Sequence, residues 1–306
     1  MTSVPHQRAR ERFPIDPVVD AAVERLVPVD EGVNLRTLDR GPQRDGEPVF
    51  VLVHGLASNC RMYDGVATHL AARGYRTIAV DLRGHGLSDK PDHGYDFTTV
   101  CTDLVALLDH FNLDRAVLVG QSWGGNVVVH AAHEHPDRVI GSVAIDGGAF
   151  EMSRRFATWE DCAAALAPPR LAGTRASRLE AAIRASNRDW PESGIRGSLS
   201  NFEYHDDGTL SPWLTFDRHM QILRAMFDHR PTELYPLIER PIVFMPADSG
   251  LESHTREREE ILDLAQRSLA KCRVHWFKPA HHDLHAQHPE RCADVIVTNV
   301  KNGFLS

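Results

Sequence analysis

Arg115-Ala-Val-Leu-Val-Gly-Gln-Ser-Trp-Gly-Gly-Asn-Val-Val-Val-His130 carries a strand, a turn and a helix in one short segment. The apolar run Ala116 to Val119 predicts a buried strand, and Asn126 to His133 predicts a helix. Between them Gly120-Gln121-Ser122-Trp123-Gly124 forms a G-x-S-x-G motif in the strand–turn–helix setting the motif requires. A strand that reverses into a helix within a few residues crowds its own backbone, so the flanking positions must lack a Cβ. Ser122 at the apex is predicted to hold a strained backbone with its Oγ exposed and a helix N-terminus beneath it. The Trp123 N–H then points to where an oxyanion would form. A bare G-x-S-x-G also recurs as an ordinary tight turn, but the remaining chemistry follows in order along the chain, and Ser122 reads as a nucleophile.

The 306 residues suit one large α/β domain with room for an insertion, and 42% hydrophobic content is ample for a core. A formal net charge of -8 and a pI near 6.1 argue against a nucleic-acid or anionic-membrane partner. Cys60, Cys101, Cys162, Cys272 and Cys292 are scattered, odd in number and without metal spacing. They read as free thiols in a reducing compartment, and with no apolar leader at Met1–Arg10 the expected location is the cytoplasm.

In chain order, residues 1 to about 16 are a polar arm, and Asp16-Pro17 predicts a short helix over Val18–Arg25. Residues 26–38 read as a strand–turn–strand hairpin, Val49–Val53 as a buried strand, and 62–72 as a helix. Tyr75–Val80 is the next strand, followed by the Gly-rich loop from Asp81 to Pro91 and an amphipathic helix over Thr98–Phe111. Val139–Ile145 is a further strand, ending at Asp146-Gly147-Gly148. Alternation at this spacing means a mostly parallel sheet covered by helices on both faces. The pattern breaks over 150–237, where helix-like segments are separated by Pro- and Gly-rich turns and no strand is legible. It resumes with a strand at Ile242–Met245, a charged helix over Glu252–Lys271, a strand at Cys272–Lys278 and a last helix after Pro289.

These residues resemble the α/β-hydrolase superfamily, and within it the cap-bearing branch of esterases, lactonases, carbon–carbon bond hydrolases, epoxide hydrolases and haloalkane dehalogenases. The resemblance rests on His54-Gly55, on Asp81-Leu-Arg-Gly-His-Gly-Leu-Ser88, on Gly120–Gly124, and on His282 in the last loop. It implies an α/β-hydrolase core at 27–149 and 238–306, behind an N-terminal segment at 1–26, and a helical cap at 150–237 inserted between two strands. Epoxide hydrolases and dehalogenases attack with a carboxylate. A serine at position 122 implies an acyl-enzyme formed from an ester, lactone, thioester or activated amide.

Among His281, His282, His285 and His288, the resemblance assigns the general base to His282, which precedes Asp-x-x-His; His281 stands where relatives usually carry Gly. A metal cluster is the alternative for this loop, but the spacing matches no His-x-x-x-His helix motif of known mechanics. The resemblance also places the second oxyanion amide at Leu56, beside that of Trp123. Two carboxylates compete to orient the imidazole. Asp248 follows the strand where most relatives carry the acid, and the 252–271 helix is an ordinary crossover that makes this strand a neighbour of the one leading to His282. Asp146 ends the preceding strand, the site of a minority. Asp248 is the expected acid, although Pro246-Ala-Asp-Ser-Gly250 lacks the usual Gly-x-x-Asp spacing.

Most insertion aromatics are expected to pack internally, with Trp159 and Trp213 the candidates for the substrate pocket. The arginines at 154, 155, 170, 175, 178 and 184 read as a solvated face. The whole is a serine hydrolase acting on a small molecule, with no metal and no cofactor implied and with the oligomeric state and substrate left open. Two rivals stay beside it. One is a carbon–carbon hydrolase, lyase or cyclase on the same fold; the other is a ligand-binding receptor that retains the triad.

Overall fold

The computed structural model describes residues 22–250 and 252–306. β1 (Val23–Asp30) and β2 (Val33–Arg40) form the predicted hairpin, antiparallel and turned at Gly32 with φ 70°. The first half of the helix expected over Val18–Arg25 lies outside the described residues, and from Val23 onward the chain is strand. Pairing of Val23, Glu24 and Arg25 with Asp39, Leu38 and Thr37 overrides the local helix signal there.

β3 (Phe50–Val53) is buried at every residue, and the chain continues through α1 (Asp64–Ala72), β4 (Thr77–Val80), α2 (Phe97–His110), β5 (Ala116–Gln121), α3 (Trp123–Glu134) and β6 (Val139–Ile145). Strand alternation splits the core into two. Val51 and Val53 pack with Leu104 of α2 and Val127 of α3 on one face, while Phe50 and Leu52 pack with Leu70 of α1 on the other. Each of these fully buried side chains is worth about 1.5–3 kcal/mol of transfer free energy, which is why a strand as short as β3 is fixed so firmly.

The insertion between β6 and the next core strand holds α4 (Trp159–Leu166), β7 (Thr174–Arg175), α5 (Ala176–Ser186), α6 (Glu192–Leu199), β8 (Phe202–Tyr204), β9 (Thr209–Pro212), α7 (Phe216–Asp228) and α8 (Pro231–Leu234). Its strands make a small antiparallel sheet in the order β7-β9-β8, strands that were not legible in an insertion expected to be largely helical. Strands of two to four residues are too short to display a period of two, so only their pairing reveals them. Several contacts fasten the insertion to the core, among them the following. Arg218 of α7 donates to the carbonyls of Lys90 and Pro91 at 2.7 and 3.0 Å. Gly197 of α6 lies so close to Met62 that a Cβ would fall 2.9 Å from its Cα, and the Gly197 carbonyl accepts from Asn59 Nδ2.

The core then closes with β10 (Ile242–Met245), α9 (Glu252–Ser268), β11 (Cys272–Val274), α10 (Leu284–Gln287) and α11 (Pro289–Lys301). The sheet order is β1-β2-β4-β3-β5-β6-β10-β11, antiparallel as far as β4 and parallel from there on. β10 thus lies between β6 and β11, and both carboxylates that compete for the imidazole leave neighbouring strands. No helix among the described residues is long and apolar enough to cross a membrane.

Candidate active site

Ser122 sits at φ 54°, ψ −120°, between β5 and α3. An L-residue avoids this region, and it persists because the surroundings over-determine it. A Cβ at Gly120 would fall 2.0 Å from the Gly124 carbonyl oxygen, and one at Gly147 would fall 2.2 Å from the Ser122 carbonyl oxygen. The glycines are therefore fixed by contact. Trp123 opens α3, so its N–H has no acceptor within the helix. On the other side of Ser122 runs the loop after β3, where a Cβ on Gly55 would stand 2.9 Å from Ser122 Cβ.

Two buried histidines hold that loop. The Gly55 carbonyl faces His54 Nδ1 at 2.7 Å and the Leu82 N–H donates to Nε2 at 3.0 Å. A carbonyl only accepts, so Nδ1 carries the proton. His85 repeats the arrangement, with Nδ1 on the Arg83 carbonyl and Nε2 accepting from the Ala57 N–H at 3.3 Å. Burial pushes both histidines below the ordinary value, so they stay neutral spacers. Beneath them burial would raise the Asp81 carboxyl, but Arg36 at 3.2 Å, His54 and the amides of Cys60 and Leu87 bring it down to about 2.

His282 Nε2 lies 2.9 Å from Ser122 Oγ, and His282 Nδ1 lies 2.6 Å from Asp146 Oδ2. The carboxylate can only accept, so Nδ1 is protonated and Nε2 presents its lone pair to the serine hydroxyl. Burial opposes a charged His282, but the bond to Asp146, and the charges of Asp146 and Asp283, together raise its pKa above the ordinary value. Asp146 stands immediately after β6, at φ 38°, and its Oδ1 accepts the Ala247 N–H at 2.9 Å. Gln121 ties the two loops together, its Nε2 donating to the His282 carbonyl at 3.3 Å and to Asp283 Oδ1 at 3.1 Å.

The acid expected from the sequence is corrected. Asp248 Oδ2 pairs with Lys278 Nζ at 3.0 Å, and its Oδ1 accepts the Gly250 N–H. Past β10 the chain adds only a bridge between Ala247 and Phe277, which carries Asp248 beyond the place from which Asp146 meets the imidazole. The remaining histidines have separate surroundings. His281 is exposed, His285 is fully buried against the Tyr63 ring, and His288 precedes α11.

Ser122, Asp146 and His282 open into a cavity of about 810 Å³. Its apolar wall includes Phe150, Met152, Leu166, Met226 and Phe244. Trp159 and Trp213 are not among the lining residues, which corrects the pocket assignment. Trp159 packs edge-on against Phe227 at 6.0 Å, and Trp213 lies under Lys90 Nζ at 5.1 Å. Instead Phe150, 6.0 Å from the His282 ring, faces the site. Arg154 and Arg155, read from the sequence as a solvated face, are exposed and line the cavity as well. Arg258 and Gln121 escaped the sequence reading: the first is one of many charges on an amphipathic helix, and the second is a variable position of its motif.

Geometry of this kind can pass a proton from Ser122 Oγ to His282 while the Asp146 carboxylate steadies the imidazolium. Comparison with known proteins agrees with the fold. Over 132 residues the chain is 36% identical to a 2-(acetamidomethylene)succinate hydrolase of Mesorhizobium japonicum, covering 43% of this chain and 47% of that protein. It is 39% identical over 127 residues to epoxide hydrolase A of Mycobacterium tuberculosis, covering 41% and 38%. In both cases the match spans less than half of the relative's length. A solved structure of E-2-(acetamidomethylene)succinate hydrolase superposes with a TM-score of 0.75 at 25% identity, covering 92% of this chain and 99% of that one. The family model of the alpha/beta hydrolase fold matches residues 48–214, more than half of the sequence, and the chain therefore belongs to that family of enzymes.

Proposed function

We propose that the protein is a serine hydrolase that cleaves a carboxylic ester, lactone, thioester or activated amide of a small organic molecule through an acyl-enzyme. The observation that carries this reading is the unbroken line Ser122 Oγ–His282 Nε2 and His282 Nδ1–Asp146 Oδ2, at 2.9 and 2.6 Å, opening on a cavity of about 810 Å³. Ser122 attacks the carbonyl carbon as His282 takes its proton. The Trp123 and Leu56 amides receive the oxyanion, and the imidazolium returns its proton to the leaving group. Water, activated by the same imidazole, then releases the acid. The insertion at 150–237 serves as the cap, setting the substrate through Phe150, Met152 and Leu166. The five cysteines are all unpaired, which suits a cytoplasmic setting.

The 2-(acetamidomethylene)succinate hydrolase named above supports hydrolysis as the reaction class, and a serine at position 122 sets this site apart from those that attack with a carboxylate. The test is intact-mass analysis after brief exposure to p-nitrophenyl acetate at low pH. An acetyl adduct of the wild type that maps to Ser122 and is missing from Ser122→Ala supports the assignment. Undiminished turnover by Ser122→Ala overturns it.

A further inference from the structure

The triad acid of this chain has a cation on it. Asp146 Oδ2 accepts from two donors, His282 Nδ1 at 2.6 Å and Arg258 Nη2 at 3.0 Å. Arg258 Nη1 donates in turn to the Ala247 carbonyl at 3.2 Å, and the Ala247 N–H donates to Asp146 Oδ1 at 2.9 Å. Asp146, Ala247 and Arg258 thus close a ring of hydrogen bonds, and the imidazole hangs from one oxygen of it. Asp146 is only 1% exposed in its side chain, so the charge beside it acts through protein more than through water.

We propose that Arg258 is a positioning residue of this site: it locks the Asp146 carboxylate in one orientation and sets a fixed positive charge one carboxylate away from an imidazole that must become positive during catalysis. The inference rests on the serine-hydrolase reading for its kinetic consequence, but not for its electrostatic one. A carboxylate bound to His282 alone would stabilise the imidazolium in full. Sharing Oδ2 with a guanidinium weakens that stabilisation, so the imidazole stays neutral, and able to accept a proton, to lower pH. Orientation is gained and part of the base strength is given up.

Among the described residues, the charged and titratable groups around His282 are the following. Asp146 at the end of β6 and Asp283 in its own loop favour the imidazolium, and Arg258 from α9 opposes it. His285 from α10 is buried and held neutral, at about 3, by burial. His281, the neighbour in its loop, is exposed. Glu151, Arg154, Arg155 and Glu260 line the same cavity. Of all these, Arg258 is the cation hydrogen-bonded to the acid.

Two substitutions separate orientation from charge. Arg258→Lys keeps the charge and loses the fork, and Arg258→Gln keeps a donor and loses the charge. For p-nitrophenyl acetate we expect the acidic limb of kcat/KM to move up by about one pH unit in Arg258→Gln and to stay near the wild-type position in Arg258→Lys. Both should lose roughly tenfold in plateau rate through the looser acid. A direct readout comes from titrating the His282 ring by NMR in protein labelled at histidine, assigned by difference with His282→Gln. An upward shift in Arg258→Gln supports the proposal whether or not the ester is a substrate. A rate loss in both variants with no shift of limb or resonance reduces Arg258 to a brace of the loop and overturns the electrostatic role. A shift of equal size in Arg258→Lys overturns it too. Should Arg258→Gln fail to fold, Arg258→Met takes its place under the same criteria. Absence of any acyl adduct on Ser122 would remove the hydrolase reading and leave the NMR result standing.

Discussion

His282 Nδ1 and Asp146 Oδ2 stand 2.6 Å apart although the residues are separated by 136 positions and by the whole insertion. The contact exists because β6 and β10 are parallel neighbours, with Ile145 opposite Met245, and because Asp146 leaves its strand at once. Asp146→Asn should lower kcat by about 10⁴, since the amide would favour the wrong imidazole tautomer. Asp248→Asn should leave kcat within about threefold and lower stability by less than about 1 kcal/mol, as its Lys278 partner is half exposed. Steady-state kinetics and urea melts of the two variants decide the matter; the opposite ranking returns the acid to Asp248.

Strain at Ser122 predicts a trade between function and stability. Ser122→Gly relieves a φ of 54° and should raise unfolding free energy by about 1 kcal/mol while abolishing the acyl adduct. Ser122→Ala should lower kcat by about 10⁶, by analogy with serine-protease knockouts, without that gain in stability. Denaturation curves of both variants check the sign. A less stable glycine variant would show that the bend is not strained.

The site and the core should respond to pH in opposite senses. The folded pKa of His282 is raised, so the stability it contributes is full below the unfolded value of ~6.5 and fades as pH climbs through the folded value. His285, His229 and His219 are lowered by burial to about 3, 3 and 4. Their contribution is full above the unfolded value and is lost as pH falls from ~6.5 towards the folded values, at up to about 1.4 kcal/mol per pH unit for each. His285 has no hydrogen-bond partner on either ring nitrogen among the described residues. His285→Leu should therefore fold and remove one proton from the slope of stability against pH between 4 and 6. An unchanged slope would contradict the buried neutral state.

Gln121 joins the strand that leads to Ser122 to the loop that carries His282. Gln121→Ala should reduce kcat about 10- to 100-fold, through misplacement of His282, with little change in melting temperature. Full activity in this variant would show that the last loop holds its shape unaided.

The pocket wall should be felt through Phe150 and not through the tryptophans. Phe150→Ala is expected to alter the preference between acetyl and longer p-nitrophenyl esters several-fold, while Trp159→Ala and Trp213→Ala leave it unchanged. A shift confined to the tryptophan variants would mean that the cap seats its substrate elsewhere.

The sequence alone determined the local instructions. Glycine spacing around Ser122 and the buried runs Phe50–Val53, Ala116–Val119 and Ile242–Met245 dictate strand, bend and helix, because those signals lie within a few residues of one another. Ser122 stood out for the same reason, whereas His282 was singled out only by the family resemblance, as the histidine that precedes Asp-x-x-His. What only the tertiary structure decided is every choice between equivalent candidates. Asp146 and Asp248 both follow core strands, and the distance each strand runs before releasing its carboxylate separates them. Trp159 and Trp213 look like Phe150 in composition, yet the folding of the insertion alone fixes which aromatic faces the cavity. Arg258 is one charge among many on a polar helix until the sheet places Asp146 beside it. Contacts across more than a hundred residues depend on the register and length of distant strands, and neither is written in the residues that make the contact.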